Sequence, residues 1–219
     1  FDQADSASIE SYAKKLIGLS LRKYINTDLV KEPCGGRGSF GLLLEKYYFG
    51  IEPNSRPEPD FKEAGIELKS SPLKKLKNGK LVAKERLVMN MITYNDIVGE
   101  TFETSSFLNK NKLLLLMFYL YERGMNVFDY IVKIARIWGF PEEDLKIIKD
   151  DWNKIVNKIK AGKAHELSEG DTLYLGACTK ASNSEVRTPQ PFSTITAKPR
   201  AFSLKQWYMN GIVEDSLRD

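Results

Sequence analysis

The run "LLLLMFYLY", Leu113 to Tyr121, constrains this chain more than any other stretch. It is far shorter than the roughly 20 residues a membrane-spanning helix needs. It has no polar parity to turn towards water, so it reads as a strand buried inside a sheet. The remaining elements must then supply layers to cover it. With 219 residues, 42% of them hydrophobic, the chain can fill one core and is short for two, so a single domain over 1–219 is expected.

Periodicity predicts what those layers are. Residues 8–25, "SIESYAKKLIGLSLRKYI", place Ile9, Tyr12, Ala13, Leu16, Ile17 and Leu19 near a 3.6-residue period, an amphipathic helix with Ser8 as its cap. "EPCGGRGSFG" interrupts with four glycines, suited to meeting a ligand, and "FGLLLEKYYFG" resumes as a second helix carrying Glu45. From Gly65 the pattern becomes β: "GIELKSS" alternates and "ERLVMNMITY" is β-rich, with Asn78-Gly79 between them, the dipeptide that best supports a tight hairpin. "KLLLLMFYLYE" and "VFDYIVKIARIW" read as two strands joined through Gly124. A helix follows from Pro141 to Lys160 with Glu142, Glu143 and Asp144 in its first turn, where the helix dipole favours acids. "GDTLYLGAC" reads as a strand, a polar loop follows, and "SLKQWYMNGIVEDSLR" closes as a helix. The expected fold class is mixed α+β: a central mixed sheet flanked by helices.

Two cysteines, Cys34 and Cys178, lie far apart, and there is one histidine, His165. That set argues against a zinc site or a disulfide scaffold and for a reducing, cytoplasmic setting. His165 reads as a structural or surface histidine, and Asp150, Asp151 and Trp152 as helix surface and packing anchor. The chain opens on Phe, with no charged leader and apolar segment, so we expect a fragment of a longer protein that is not membrane-bound. Net charge is +4, but its distribution is uneven. Lys69, Lys74, Lys75, Lys77, Lys80, Lys84 and Arg86 face only Glu85 in that interval, either a phosphate-facing patch or a solvated hairpin tip.

The chemistry concentrates in "RPEPDFKEAGIELKSSP", residues 56–72. On a strand, Glu67 and Lys69 share one face while Ile66 and Leu68 share the other, so the apolar pair can enter a core and leave the charged pair for a site. Asp60, behind Pro59, joins them if the connection folds back. Two carboxylates about 4 Å apart repel by roughly 4 kcal/mol at an effective dielectric of 20. A hard divalent cation with oxygen ligands offsets that cost, Mg²⁺ being the usual partner of phosphate chemistry. Lys69 can orient the attacking water and steady developing charge, and Glu45 can supply a third carboxylate and a second metal. Taken alone, Glu67 and Lys69 would read as a solvated ion pair on a strand face.

Pro59-Asp60, six residues, then Glu67-Leu68-Lys69 matches the PD-(D/E)xK nuclease pattern. With "GLLLEKYYFG", "FETSSFLNK" and "RAFSLK" the chain resembles the MutH family of GATC-specific endonucleases. "LKKLKNGK", "KERLVMN", "GKAHELSEG" and "CTKASN" make it most similar to the restriction-enzyme branch, the Sau-three-A-one type. The resemblance runs from about Gly38 to Tyr208 and implies a restriction-endonuclease-like fold. It implies that Asp60 and Glu67 hold the metal with the Leu68 carbonyl, that Lys69 is the motif lysine, and that Glu45 and Lys110 are further active-site residues. One extra residue separates Glu45 from Asp60 compared with the mismatch-repair members.

For DNA, the resemblance implies contacts from Arg37 in the glycine loop and base reading by Lys180, a lysine suited to guanine O6 and N7. Arg200 and Lys205 are cast as phosphate contacts. Cys178 and Ser203 stand where the repair enzymes have an arginine and a tyrosine, so Ser203 is carried as a DNA-facing position with altered readout. The expected function is Mg²⁺-dependent hydrolysis of double-stranded DNA at 5'-GATC-3' by the catalytic part of a type II restriction enzyme, with a second similar domain or a second copy for the second strand. The alternatives are a mismatch-repair-type nicking enzyme and a DNA-binding effector domain without catalysis.

Overall fold

The structure is a computed structural model, and it describes residues 1–30, 38–53 and 57–218. The elements are α1 (Ser6–Lys14), α2 (Ser39–Leu43), β1 (Ile66–Lys75), β2 (Leu81–Ala83), β3 (Leu87–Ile92), α3 (Tyr94–Ile97), α4 (Ser106–Asn111), β4 (Leu113–Leu120), β5 (Ile131–Gly139), α5 (Glu142–Lys160), β6 (Leu175–Thr179), β7 (Arg200–Leu204) and α6 (Gln206–Ser216). They form a mixed α+β, restriction-endonuclease-like arrangement. The chain divides into two compact units: Phe1–Glu85, Leu113–Gly139 and Asn210–Asp219 make the first, Arg86–Lys112 and Phe140–Met209 the second.

The first unit is built on a mixed sheet of order β2-β1-β4-β5. β4, the apolar run, lies parallel to β1 on one side and antiparallel to β5 on the other. Leu114, Leu115, Leu116, Met117 and Phe118 are all at most 1% exposed, which is why the sequence there offers no polar parity. One sheet face, with Ile66, Leu68, Leu115, Met117, Val132 and Ala135, packs into a core with Ile9, Ala13 and Leu16, and with Phe40, Leu43 and Leu44. Parallel pairing of β1 with β4 requires a long crossover, and residues 76–112 supply it.

The second unit carries an antiparallel sheet of order β3-β7-β6 and the long helix α5. Ile148, Asp151, Trp152, Ile155, Val156 and Ile159 form the buried stripe of α5. Trp152 meets Phe102 edge-on at 5.9 Å, and Phe107 meets Phe202 at 5.1 Å. Burial raises the Tyr94 hydroxyl to about 12, so it stays protonated and donates to the Lys198 carbonyl at 2.6 Å.

Several expectations shift. α1 is capped by Asp5, not Ser8: its carboxylate accepts from the N–H groups of Ala7 and Ser8, and the helix ends at Lys14, well short of residue 25. The Asn78-Gly79 turn forms, with Gly79 at φ 86°, but the partner of β1 is the three-residue β2. "ERLVMNMITY" instead gives β3 of the other sheet, because the chain bends at Lys84–Arg86 before reaching it. β7 falls where a polar loop and the start of the last helix were expected: "RAFSL" pairs with β3 and β6, and the helix begins at Gln206. Five residues bounded by charged positions carry little periodic signal, and the strand is specified by its two neighbours.

Asp151 is not helix surface. It is 0% exposed, and its carboxylate accepts the backbone N–H groups of Leu173, Tyr174 and Leu175 at 2.8, 2.6 and 3.0 Å. His165 is structural, its Nδ1 3.0 Å from Gln190 Nε2. No helix among the described residues is long and apolar enough to cross a membrane.

Candidate active site

The site is set by how the chain enters β1. Gly65, at φ 67°, turns the chain so that Phe61 and Ile66 pair as an antiparallel bridge, with N···O distances of 2.9 and 3.2 Å. Opposed residues on antiparallel strands share a face, and both Phe61 and Ile66 enter the helical core. The next pair out, Asp60 and Glu67, therefore belongs to the opposite face, and Lys69 joins it two residues on. The fold-back expected of the Pro59-Asp60 segment is thus observed.

β2 pairs with β1 only at residues 73–75, so the N-terminal half of β1 has an edge not taken by a strand. Asp60 fills it. Its Oδ2 accepts the Leu68 N–H at 2.9 Å, and among the described residues this is the only hydrogen bond of that carboxylate. Oδ1 accepts none. Because the N–H and C=O of an extended residue point to the same side, the Leu68 carbonyl also faces the Asp60 edge. Glu67 is 3% exposed, and its Oε1 accepts from Lys69 Nζ at 2.7 Å. The lysine side chain is 15% exposed, so this is a nearly desolvated pair rather than a solvated one. An ionised carboxylate is held in such a place only by a compensating cation.

The donor set fits a hard divalent cation. Asp60, Glu67 and the Leu68 carbonyl offer oxygen alone, and among the described residues Asp60 keeps one carboxylate oxygen without a hydrogen bond. Among the described residues no group of three or more His, Cys, Asp or Glu side chains converges on a metal position, so Glu45 does not complete a three-carboxylate cluster. Glu45 lies half-buried on a π-helical turn, Leu44–Phe49, that continues α2 and is closed by Gly50 at φ 70°. Gly41 of α2 approaches β1 so closely that a Cβ there would lie 3.1 Å from Ser70 Oγ.

The other candidates belong to the second unit, except Arg37, which lies outside the described residues. Lys110 is half-buried near the end of α4, a helix capped by Ser105, whose Oγ accepts the Leu108 N–H at 3.1 Å. Lys180, just past β6, is exposed, and among the described residues its amine makes no ion pair or hydrogen bond. Arg200 and Lys205 are engaged otherwise. The Arg200 guanidinium donates to the carbonyls of Ala177, at 2.6 Å, and Leu167; Lys205 Nζ donates to those of Glu169, at 2.7 Å, and Thr172. Ser203, on β7, is 0% exposed with a buried hydroxyl that lacks a hydrogen-bond partner among the described residues.

The basic interval divides as well. Lys80 pairs with Glu214 at 3.4 Å, Arg86 with Glu169, and Lys84 lies 4.3 Å from the Tyr121 ring centroid. Lys74, Lys75 and Lys77 are exposed and, among the described residues, without an ion pair. Sequence reasoning passed over Asp151, which fixes the entry to β6. Its signal was present: an acid at the i+3 position between Ile148 and Trp152 on an apolar helical stripe.

The model of the family "DNA mismatch repair enzyme MutH" matches residues 49–151, an interval that holds Asp60, Glu67, Lys69 and Lys110. The type II restriction enzyme Sau3AI of Staphylococcus aureus is 44% identical over 208 residues, 94% of this chain and 42% of that protein. The DNA mismatch repair protein MutH of Shewanella woodyi is 32% identical over 201 residues, 89% of this chain and 85% of the relative. That of Vibrio campbellii is 31% identical over 182 residues, 81% and 77%. The chain thus spans less than half the length of the restriction enzyme and most of the repair proteins. Nucleases of this type are generally metal-dependent, in keeping with the oxygen-only donor set on β1. By its sequence along nearly its whole length, and with the acid-acid-lysine group on one face of β1, the chain belongs to the MutH family.

Proposed function

We propose that this chain is the catalytic part of a type II restriction endonuclease that hydrolyses phosphodiester bonds of double-stranded DNA at 5'-GATC-3', with Mg²⁺ as cofactor, in the cytoplasm. The observation that carries the reading is the shared face of Asp60, Glu67 and Lys69, with the Asp60 carboxylate against the Leu68 N–H at the edge of β1 and the Lys69 ammonium 2.7 Å from Glu67. The identity to Sau3AI favours the restriction reading, and the GATC target is what the motif resemblance implies.

Asp60 and Glu67, with the Leu68 carbonyl, would hold the cation. When bound, it neutralises the phosphate and lowers the pKa of a coordinated water. The protein's own groups do the rest. Asp60 is preset by the Leu68 N–H, so its second oxygen needs no rearrangement to serve as a ligand. Lys69 sets its ammonium against the Glu67 carboxylate in a desolvated place, and its amine can orient the attacking water and stabilise charge on the phosphoryl oxygens. Lys110 is assigned a supporting electrostatic role, and Glu45 the role of a further acidic group. Lys180, exposed and without an ion partner among the described residues, is assigned as the base-reading lysine, and Arg37 as a backbone contact.

One such centre cuts one strand, so double-strand cleavage requires a second copy or a second, similar domain. Mismatch-repair-type nicking is the competing reading, favoured by the 85% coverage of a MutH protein. Incubation with a GATC-containing plasmid in Mg²⁺ and then in EDTA tests the proposal: linear products are expected with Mg²⁺ and none with EDTA. Products that stop at the nicked circle favour the repair-type reading. Glu67→Ala should bind the same duplex without cutting it, and metal-dependent cleavage by that variant would overturn the site.

A further inference from the structure

Phe192 is 75% exposed, yet it is the one non-glycine residue among those described with a positive φ, 61°. A bulky side chain in the left-handed region is costly, and a loop that needed only to turn there would take glycine or asparagine. The surroundings impose the conformation. Gln190, 5% exposed, accepts the Ala164 N–H at 2.6 Å, and its amide donates to the Ile195 carbonyl at 2.6 Å beside His165. Thr188 and Ala197 close the base of the loop with paired bonds of 2.8 and 2.9 Å. Gly162 leaves room beneath it: a Cβ there would sit 2.5 Å from the Phe192 carbonyl oxygen. A scaffold this specific, holding a ring that buries almost nothing, serves to present the ring outward.

We infer that Phe192 lays its ring against a nucleobase of the bound DNA, from the loop that joins β6 to β7; the inference rests on the nuclease reading above. The loop is basic, with Lys180, Arg187 and Lys198 against Glu185, which suits a polyanion better than an apolar protein surface. Ile195, 55% exposed three residues on, adds a second apolar group at the same tip. Aromatic rings stack on any base through its π-face, and apolar wedges unstack base steps, so the contact adds affinity and deformation without hydrogen bonds.

The test uses Glu67→Ala as a background that binds without cutting, and GATC duplexes carrying 2-aminopurine at successive positions. The background protein should change the fluorescence at one or two adjacent positions. Adding Phe192→Gly should abolish that change and weaken binding about tenfold, while the unfolding midpoint rises because glycine accepts the left-handed backbone. Phe192→Trp should retain both binding and signal. Unchanged affinity and fluorescence in Phe192→Gly would overturn the inference, as would a lowered unfolding midpoint, which makes the ring a packing group. A change of oligomeric state on that substitution also overturns it, in favour of a protein-docking ring. A Glu67→Ala protein that fails to bind GATC duplex at all defeats the nuclease reading instead.

Discussion

β1 and β7 both carry charged side chains and use them in opposite ways. Along β1, Glu67 and Lys69 answer each other, and Asp60 spends one oxygen on a backbone N–H and keeps the other. At the two ends of β7, Arg200 and Lys205 give their N–H groups to four backbone carbonyls, those of Leu167, Ala177, Glu169 and Thr172. The difference lies in what borders each strand. β1 has an edge that β2 does not reach and that Asp60 takes; β7 is the middle strand of its sheet, beside a β6 carbonyl and loop carbonyls that need donors. A cation that satisfies buried carbonyls is committed to the fold, and a carboxylate with a spare oxygen at a strand edge is available for chemistry.

That contrast can be broken experimentally, and the largest effect is expected at β1. Asp60→Asn keeps an acceptor for the Leu68 N–H but removes the charge, so cleavage should fall by about a thousandfold or more with the melting temperature within roughly 2 °C. A comparable loss of both would mean that Asp60 is structural. Next comes Arg200→Met, which should lower the melting temperature by roughly 6–12 °C, since two charge-assisted hydrogen bonds at about 1.5 kcal/mol each are lost. Calorimetry reads this directly. A variant that melts normally but binds DNA weakly would return Arg200 to the phosphate contacts.

Lys180→Ala should do the reverse: affinity for GATC duplex drops about tenfold, and the melting temperature stays put. Titrations at two salt concentrations check it. The smallest effect concerns the loop that receives Lys205. Burial alone would raise Asp171, but hydrogen bonds from Lys158, 2.8 Å away, and the Ser168 N–H hold its carboxyl below the ordinary value of 3.8. A depressed acid contributes stability that is present above its unfolded value and lost as pH falls through its folded one. Lys158→Met should therefore melt lower than the parent above pH 3.8, by roughly 2 °C, and the gap should close on further acidification. A gap that persists in acid would place the lysine's effect in packing.

Much of the site was legible because it is local. Glu67 and Lys69 lie two apart on a strand, and the period of the strand puts them on one face whatever surrounds it. The turn at Gly65 that brings Asp60 opposite Glu67 is also local, spanning Phe61 to Ile66. The hairpin turn at Asn78-Gly79 was readable for the same reason, whereas its partner strand was not: the chain could pair β1 with any following β-rich segment, and only the bend at Lys84–Arg86 sends β3 elsewhere. The hydrogen-bond partners of Arg200, Lys205 and Asp151 were not legible, because they lie between 22 and 36 residues away.

By itself, then, the sequence determined the buried strand β4, the amphipathic α5, and the acid-acid-lysine group of β1, each a consequence of periodicity over a few residues. The tertiary structure alone decided which charges remain available. It used Arg200 and Lys205 to satisfy carbonyls, buried Asp151 under three N–H groups, and held Phe192 outward on a backbone that phenylalanine does not choose. The reason is physical: a side chain's direction follows from its own strand or helix, but the hydrogen bonds it must satisfy come from segments that only folding brings near.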